Sequence, residues 1–160
     1  MTETFEEKYP MFKFLYEDGF EVIDPGFHGR RIVYLVSDKF NIKITLGRRA
    51  GIYLFLAPLQ KEKELAELKY LVLEAYLSYL LKDMDFKLPI TVEHSTEDQL
   101  EIVAHFLKEN CAELCAFLET TNYAKHKNEF EAFLNKRWDY SIEKYNKEFE
   151  VAKKKRKKLK

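Results

Sequence analysis

The sequence predicts an α+β fold, in which an antiparallel four-stranded β-meander packs with about four α-helices. The first observation is a β-rich stretch from Arg30 to Pro58, where NIKITL alternates apolar and polar residues with the period of a half-buried strand. The second is that apolar residues recur at helical spacing in the segments after Pro58. Because no repeat or Gly/Ser linker divides the chain, we expect one domain over residues 1–152 and a basic C-terminal tail over 153–160.

The N-terminal segment reads as a helix followed by a strand. Over residues 3–18, aromatic residues recur at helical spacing, and Gly19 is a natural helix end. A short strand over residues 20–23 follows. Pro25 fixes its own φ and Gly26 accepts a positive φ, so these two residues make the turn into the meander.

The strands on either side of NIKITL carry apolar residues on both faces. On this reading Val33, Leu35, Tyr53 and Phe55 belong to a second apolar face of the sheet. We expect that face to meet a helix, another copy of the chain or a partner.

Three helices are predicted in the second half. Residues 62–82 are apolar most of the way round, which is typical of a helix that is packed on several sides. A connector over residues 83–94 leads to a helix that begins at a capping box formed by Thr96 and Gln99. The final helix runs from about Tyr123 into the tail, with a narrow stripe typical of a helix laid in a groove or paired with another helix. The stripe consists of Phe130, Leu134, Trp138, Ile142, Tyr145 and Phe149.

One end of the predicted meander is a candidate binding site for an anionic group. The first and third connections of a meander lie at the same end of its sheet. They carry His28, Arg30, Arg31, Arg48 and Arg49, and arginine side chains suit carboxylates and phosphates. The alternative is that charged hairpin ends stay in water and keep sheet edges from pairing.

The net charge of zero hides an asymmetry between the body and the tail. All 27 acidic residues but only 20 of the 27 basic ones lie in residues 1–152, which gives the body a formal charge of −7. An acidic body disfavours broad contact with phosphates. The tail itself is either a solvated end or a contact for nucleic acid or an anionic membrane. Its basic residues are Lys153, Lys154, Lys155, Arg156, Lys157, Lys158 and Lys160.

No motif in the sequence indicates catalysis or a cofactor. The two cysteines, Cys111 and Cys115, fall on one helix face without a second ligand pair, which disfavours a zinc site. The histidines have no ligand-spaced companions, and no phosphate loop or nucleophile elbow is present. The N-terminus lacks the pattern of a signal peptide, so we expect a cytoplasmic protein.

The first 58 residues resemble small bacterial proteins of the toxin-immunity type. The matching pieces are a helix that ends in a Gly-Phe step, FLYEDGF over 14–20, and a meander that closes on an Ala-Pro step, with IVYLVS over 32–37, IKI over 42–44 and LFLAP over 54–58. The resemblance implies a protein that neutralises a toxin by binding it. It does not extend to the helical second half or to the tail.

These observations predict a non-enzymatic protein-binding domain of immunity type, acting through its aromatic face or its acidic body. If the partner is a nuclease toxin, the acidic surface can mimic nucleic acid and speed association. Two alternatives stay open. One is a protein associated with nucleic acid or membrane through the Lys-rich tail, and the other is a homo-oligomeric module that buries Val33, Leu35, Tyr53 and Phe55.

Overall fold

The sheet is an antiparallel meander with one strand more than predicted. The computed structural model describes residues 4–24, 31–47, 51–60, 63–91 and 93–158. Across these residues the α+β class is confirmed, and each strand pairs with its sequence neighbour in the order β1-β2-β3-β4-β5. The strands are β1 Glu21–Ile23, β2 Arg31–Val36, β3 Phe40–Gly47, β4 Gly51–Pro58 and β5 Leu71–Val72.

The described residues form six α-helices rather than about four. They are α1 Phe5–Lys8, α2 Lys13–Glu17, α3 Leu73–Leu80, α4 Thr96–Glu109, α5 Cys111–Leu118 and α6 Thr120–Lys158. Two 3₁₀ turns, Pro10–Phe12 and Leu65–Glu67, accompany them. The larger number arises because predicted helices are interrupted.

The N-terminal and third predicted helices are each divided at an identifiable residue. Pro10 has no backbone N–H to donate within a helix, and a 3₁₀ turn begins there and separates α1 from α2. At Asn110 the side-chain amide donates to the carbonyl oxygen of Phe106 at 2.8 Å, and the backbone leaves the helical conformation. The chain therefore turns between α4 and α5 instead of continuing as one helix.

The prediction of a helix over residues 62–82 is wrong for the described residues before Leu73, where α3 begins. Leu71 and Val72 form β5, which pairs with Leu56 and Phe55 on the edge of β4. Periodicity does not separate a short apolar strand from a buried helix. The unpaired backbone groups of β4 provide the tertiary context that selects the strand.

The inner face of the sheet forms the floor of the core. One row of mutually paired residues crosses all five strands on this face: Val22, Leu35, Ile42, Leu56 and Leu71. Val33 and Leu35 are both fully buried here. The expectation that they share a second, outward face with Tyr53 and Phe55 is therefore corrected, because the register with Ile44 and Ile42 turns them inward.

Helices cover this inner face, and α6 attaches to them through aromatic packing. The hydroxyl group of Tyr76, on α3, donates to the carbonyl oxygen of Leu56 in β4 at 3.1 Å. The Tyr76 ring stacks on the ring of Phe130 from α6, with 5.1 Å between centroids. Phe117 of α5 and Tyr79 of α3 also contact Phe130, so one buried ring fixes α6 to the body.

Candidate interaction surfaces

The outer face of the sheet is a half-exposed apolar surface. A second row of mutually paired residues crosses the strands on this face: Ile23, Tyr34, Lys43, Phe55 and Val72. We call this row, together with Ile32, Tyr53 and Tyr70, the outer sheet face. Tyr53, a predicted binding residue, is 50% exposed, and Phe55 beside it is half-buried. Their ring centroids are 6.3 Å apart.

The side chain of Lys43 lies at the centre of the outer sheet face. The Nζ atom of Lys43 lies 4.8 Å from the ring centroid of Phe55 and 4.9 Å from that of Tyr70. These are cation–π distances. Burial lowers the pKa of the Lys43 ammonium. Among the described residues, no carboxylate lies within 4.0 Å of this nitrogen, so its neighbours here are aromatic rather than acidic.

Sequence reasoning missed Lys43 and Tyr70 as members of this surface. The position of Lys43 follows from the meander register, which sets it opposite Tyr34 and Phe55, so a register derived from the turns would have found it. Tyr70 offered no such signal because it fell inside a predicted helix.

The predicted arginine rim lies mostly outside the described residues. The order of the strands puts the end of β1, the start of β2, the end of β3 and the start of β4 at one end of the sheet. Of the rim residues, Arg31 begins β2 and its backbone pairs with Leu46. His28, Arg30, Arg48 and Arg49 belong to segments that the structure does not describe, so the anion site stays a prediction.

The first half of α6 is fastened to the body by ion pairs as well as by Phe130. Glu131 accepts from Nζ of Lys69 at 3.0 Å, and Arg137 donates to Oε1 of Glu74 at 3.0 Å. Further along, Nζ of Lys144 lies 3.4 Å from Oδ1 of Asp85. These contacts lower the pKa of Glu131, through Lys69, and that of Asp85, mainly through the hydroxyl of Tyr140.

The second half of α6 presents an exposed apolar stripe. From residue 138 to 158 every residue of this helix is exposed. Trp138, Ile142, Tyr145 and Phe149 are 68%, 42%, 66% and 56% exposed, and we call these four residues the α6 stripe. The predicted six-residue stripe is thus divided: Phe130 and Leu134 pack against the core and the last four face solvent.

The basic tail continues α6 instead of leaving it. The helix runs to Lys158, and its last six residues are Lys153, Lys154, Lys155, Arg156, Lys157 and Lys158, all exposed. Cations in the last turn of a helix interact favourably with its macrodipole, while like charges four residues apart repel. The tail therefore presents a helical basic surface.

The described histidines interact with residues three or four positions away in the sequence. Cys111 and Cys115 lie one turn apart on α5. His94 caps the N–H of Thr91, and His105 and His126 contact Glu109 and Glu129 on their own helices. Across the described residues, no group of three or more His, Cys, Asp or Glu side chains is placed to hold a metal ion.

The cysteines are free thiols, and burial raises the pKa of Cys111 to about 11. That thiol is therefore protonated at neutral pH and a weak nucleophile.

Comparison of the chain with known protein families, curated proteins and solved structures finds no match. The resemblance to immunity proteins thus stays a prediction. Within the described part of the chain, no helix has both the length and the apolar character needed to cross a bilayer.

Proposed function

We propose that this chain is a non-enzymatic protein-binding domain that binds a partner protein on its outer sheet face. The observation that supports this is the Lys43 ammonium, which lies between aromatic rings in a half-exposed apolar surface without a carboxylate among its described neighbours. Aromatic residues are enriched where proteins meet.

The cation and the aromatic rings of the outer sheet face indicate which groups the partner must present. The occupant is a protein that presents an Asp or Glu side chain to Lys43, with an apolar side chain packing on Tyr53. Because the rings around Lys43 exclude part of the solvent, an ion pair formed there is stronger than one on an open surface. The carboxylate fixes the orientation of the partner, and the aromatic rings contribute most of the contact area.

The class of partner that the N-terminal resemblance supports is a bacterial toxin, which this domain neutralises by covering it. The formal charge of −7 on residues 1–152 then attracts a basic toxin surface, such as the substrate site of a nuclease, and raises the rate of association. Lys43 acts later, at contact distance, on a carboxylate of the same partner.

Binding to a purified toxin domain encoded beside the gene tests this proposal. We expect Lys43→Met and Tyr53→Ala each to raise the dissociation constant at least about tenfold, as the loss of central interface contacts does. The control is Lys136→Met, which removes an exposed cation from the far side of α6 and leaves the dissociation constant unchanged. Calorimetric titration measures all three.

Two further measurements separate the parts of the proposal. Unchanged affinity in both Lys43→Met and Tyr53→Ala, with melting temperatures equal to that of the wild type, would remove the outer sheet face as the binding surface. An association rate that does not change with ionic strength would remove the steering role of the acidic body. Where no toxin domain is adjacent, a photocrosslinking amino acid at position 53 identifies the partner to be purified.

A further inference from the structure

The α6 stripe is a surface that the body of the chain does not use. Helix α6 has 39 residues and is therefore about 58 Å long. Lys144 makes the last described ion pair with the body, so about 20 Å of helix extends beyond that contact. Exposed Trp, Ile, Tyr and Phe side chains at helical spacing lose contact with water when a second helix covers them.

The four stripe residues make none of the described contacts between α6 and the body. Successive helix residues turn by about 100°, which puts the stripe roughly 100° around the helix from the line of Phe130, Arg137 and Lys144 that contacts the body. A second helix can therefore lie along the stripe beside the body without displacing it.

The spacing of the stripe is self-complementary. Its members are separated by four, three and four residues, and this order reads the same in both directions. A two-fold axis between residues 143 and 144 thus sets Trp138 of one copy opposite Phe149 of an antiparallel copy, and Ile142 opposite Tyr145. Apolar residues meet apolar residues along the seam, as isologous contacts require.

Charge selects the antiparallel arrangement over the parallel one. A parallel pair sets six basic residues of one tail beside the same six of the other, where they repel. The antiparallel pair separates the two tails and directs each toward the partner copy's acidic body. In the same register Arg156 lies opposite Glu131, whose carboxylate is partly exposed beside Lys69.

We propose that the α6 stripe is a self-association surface and that its occupant is a second copy of this chain, held as an antiparallel helix pair. The seam is formed by Trp138, Ile142, Tyr145 and Phe149 of both copies, and the end of each basic tail pairs with Glu131 of the other. The four stripe residues are not members of the outer sheet face, so variants of the stripe and of Tyr53 test the two proposals separately.

Sedimentation of the full chain over a range of concentrations tests the seam. The weight-average mass of the wild type is expected to rise from monomer to dimer. Ile142→Lys places a cation beside Tyr145 twice in each dimer and raises the dissociation constant at least about tenfold. The matched control is Val151→Lys, which adds the same charge to an exposed aliphatic residue on the other side of the helix and leaves the dimer unchanged.

A charge exchange tests the register. Glu131→Lys and Arg156→Glu are each expected to weaken the dimer, and the double variant is expected to recover it. A parallel pair predicts no such recovery, because positions 131 and 156 are then about 37 Å apart along the helix. Spin labels on Lys155→Cys, with Cys111 and Cys115 replaced by alanine, are expected about 35 Å apart in the antiparallel pair.

Several outcomes would overturn the proposal: a wild-type chain that stays monomeric at its solubility limit, equal effects of Ile142→Lys and Val151→Lys, or labels close enough to indicate a parallel pair. A further one is an Arg156→Glu variant that dimerises as the wild type does but loses binding to heparin or to phosphatidylserine vesicles. That result would assign the tail to an anionic partner. Loss of dimerisation with intact binding at Tyr53 would leave the proposed function standing.

Discussion

Gln99 shows how much of the fold depends on a single buried polar side chain. Its Oε1 atom accepts from the N–H of Ile52 in β4 at 3.2 Å, and its Nε2 atom donates to the carbonyl oxygen of His94 at 3.0 Å. One amide therefore joins the sheet to the loop that enters α4, and it needs both a donor and an acceptor to do so.

We expect Gln99→Met to lower the free energy of unfolding by about 1–3 kcal/mol for each of the two backbone groups that it leaves without a partner. In Gln99→Glu, the ionised carboxylate keeps the acceptor and loses the donor, whereas the protonated acid supplies both. Burial raises the pKa of such a carboxyl group, so the deficit of Gln99→Glu relative to wild type is largest above that pKa and shrinks as pH falls through it.

Urea unfolding of wild type and variant at matched pH values measures this deficit. Gln60→Glu, at an exposed position, is the control and shows no such pH-dependent deficit. A deficit for Gln99→Glu that stays constant with pH would contradict the two-bond account.

At the residue scale, the sequence pattern predicts the wrong N-cap for α4. The pattern from Thr96 to Gln99 predicts a capping box, but the N-cap is Ser95, whose hydroxyl accepts from the N–H of Asp98 at 3.1 Å. The prediction of Gln99 as a capping residue is therefore wrong. Ser, Thr, Asp and Asn are all good N-caps, and three such candidates, Ser95, Thr96 and Asp98, lie within four residues, so the sequence leaves the N-cap position open.

At the scale of the element, α6 combines a first half that packs on the body with a second half that is exposed. Its predicted start near Tyr123 is three residues late, because Glu119 accepts from the N–H groups of Thr121 and Asn122 at 3.1 and 2.8 Å and so caps the helix earlier. Its apolar period was evident from the sequence. The sequence did not show where the apolar residues of α6 stop contacting the body, because that position depends on where the other helices end.

The same substitution in each half of α6 tests this difference in packing. Phe130 is fully buried among Tyr76, Tyr79 and Phe117, so Phe130→Ala is expected to cost about 3–5 kcal/mol of folding stability. Phe149 is 56% exposed, so Phe149→Ala is expected to change stability by less than about 0.5 kcal/mol.

Urea unfolding at a concentration that favours the monomer measures both variants. Comparable losses of stability at the two positions would show that the end of α6 packs on the body of the chain after all.

At the scale of the whole molecule, low pH is expected to weaken the contacts that hold α6 against the body. Three carboxyl groups with lowered pKa values lie along this helix or against it: Glu119, through the backbone N–H groups that it caps; Glu131, through Lys69; and Asp85, through Tyr140 and Lys144. Because each pKa is lower in the folded than in the unfolded state, the stabilisation is present above the unfolded value. It is lost as pH falls through the folded value.

We therefore expect the melting temperature to fall as pH is lowered below the ordinary range of carboxyl groups. The triple variant Asp85→Asn, Glu119→Gln, Glu131→Gln removes these titrations, so its melting temperature differs less between neutral and acid pH than that of the wild type. Calorimetric scans of both proteins over this range measure the difference. An equal acid sensitivity in the two proteins would place the responsible groups elsewhere in the chain.

The architecture of the whole molecule was predictable in class and order but not in every element. The central strands and their antiparallel order in the sheet follow from the period-two alternation in β3 and from short connections. β5 does not, because Leu71 and Val72 pair with β4 only once the preceding loop has brought them back to the sheet. Similarly, the second apolar face was predicted, but its membership required the register that turns Val33 inward and Lys43 outward.

The shortness of the two outermost strands limits how this protein can meet others. β1 has three residues and β5 has two, so neither of these strands offers enough backbone of its own to template an extended polypeptide. Strand addition and fibril growth, which both start from an exposed strand edge, have little backbone to pair with on these two strands. Recognition at β1 and β5 therefore depends mainly on side chains, and substitutions there should change affinity residue by residue.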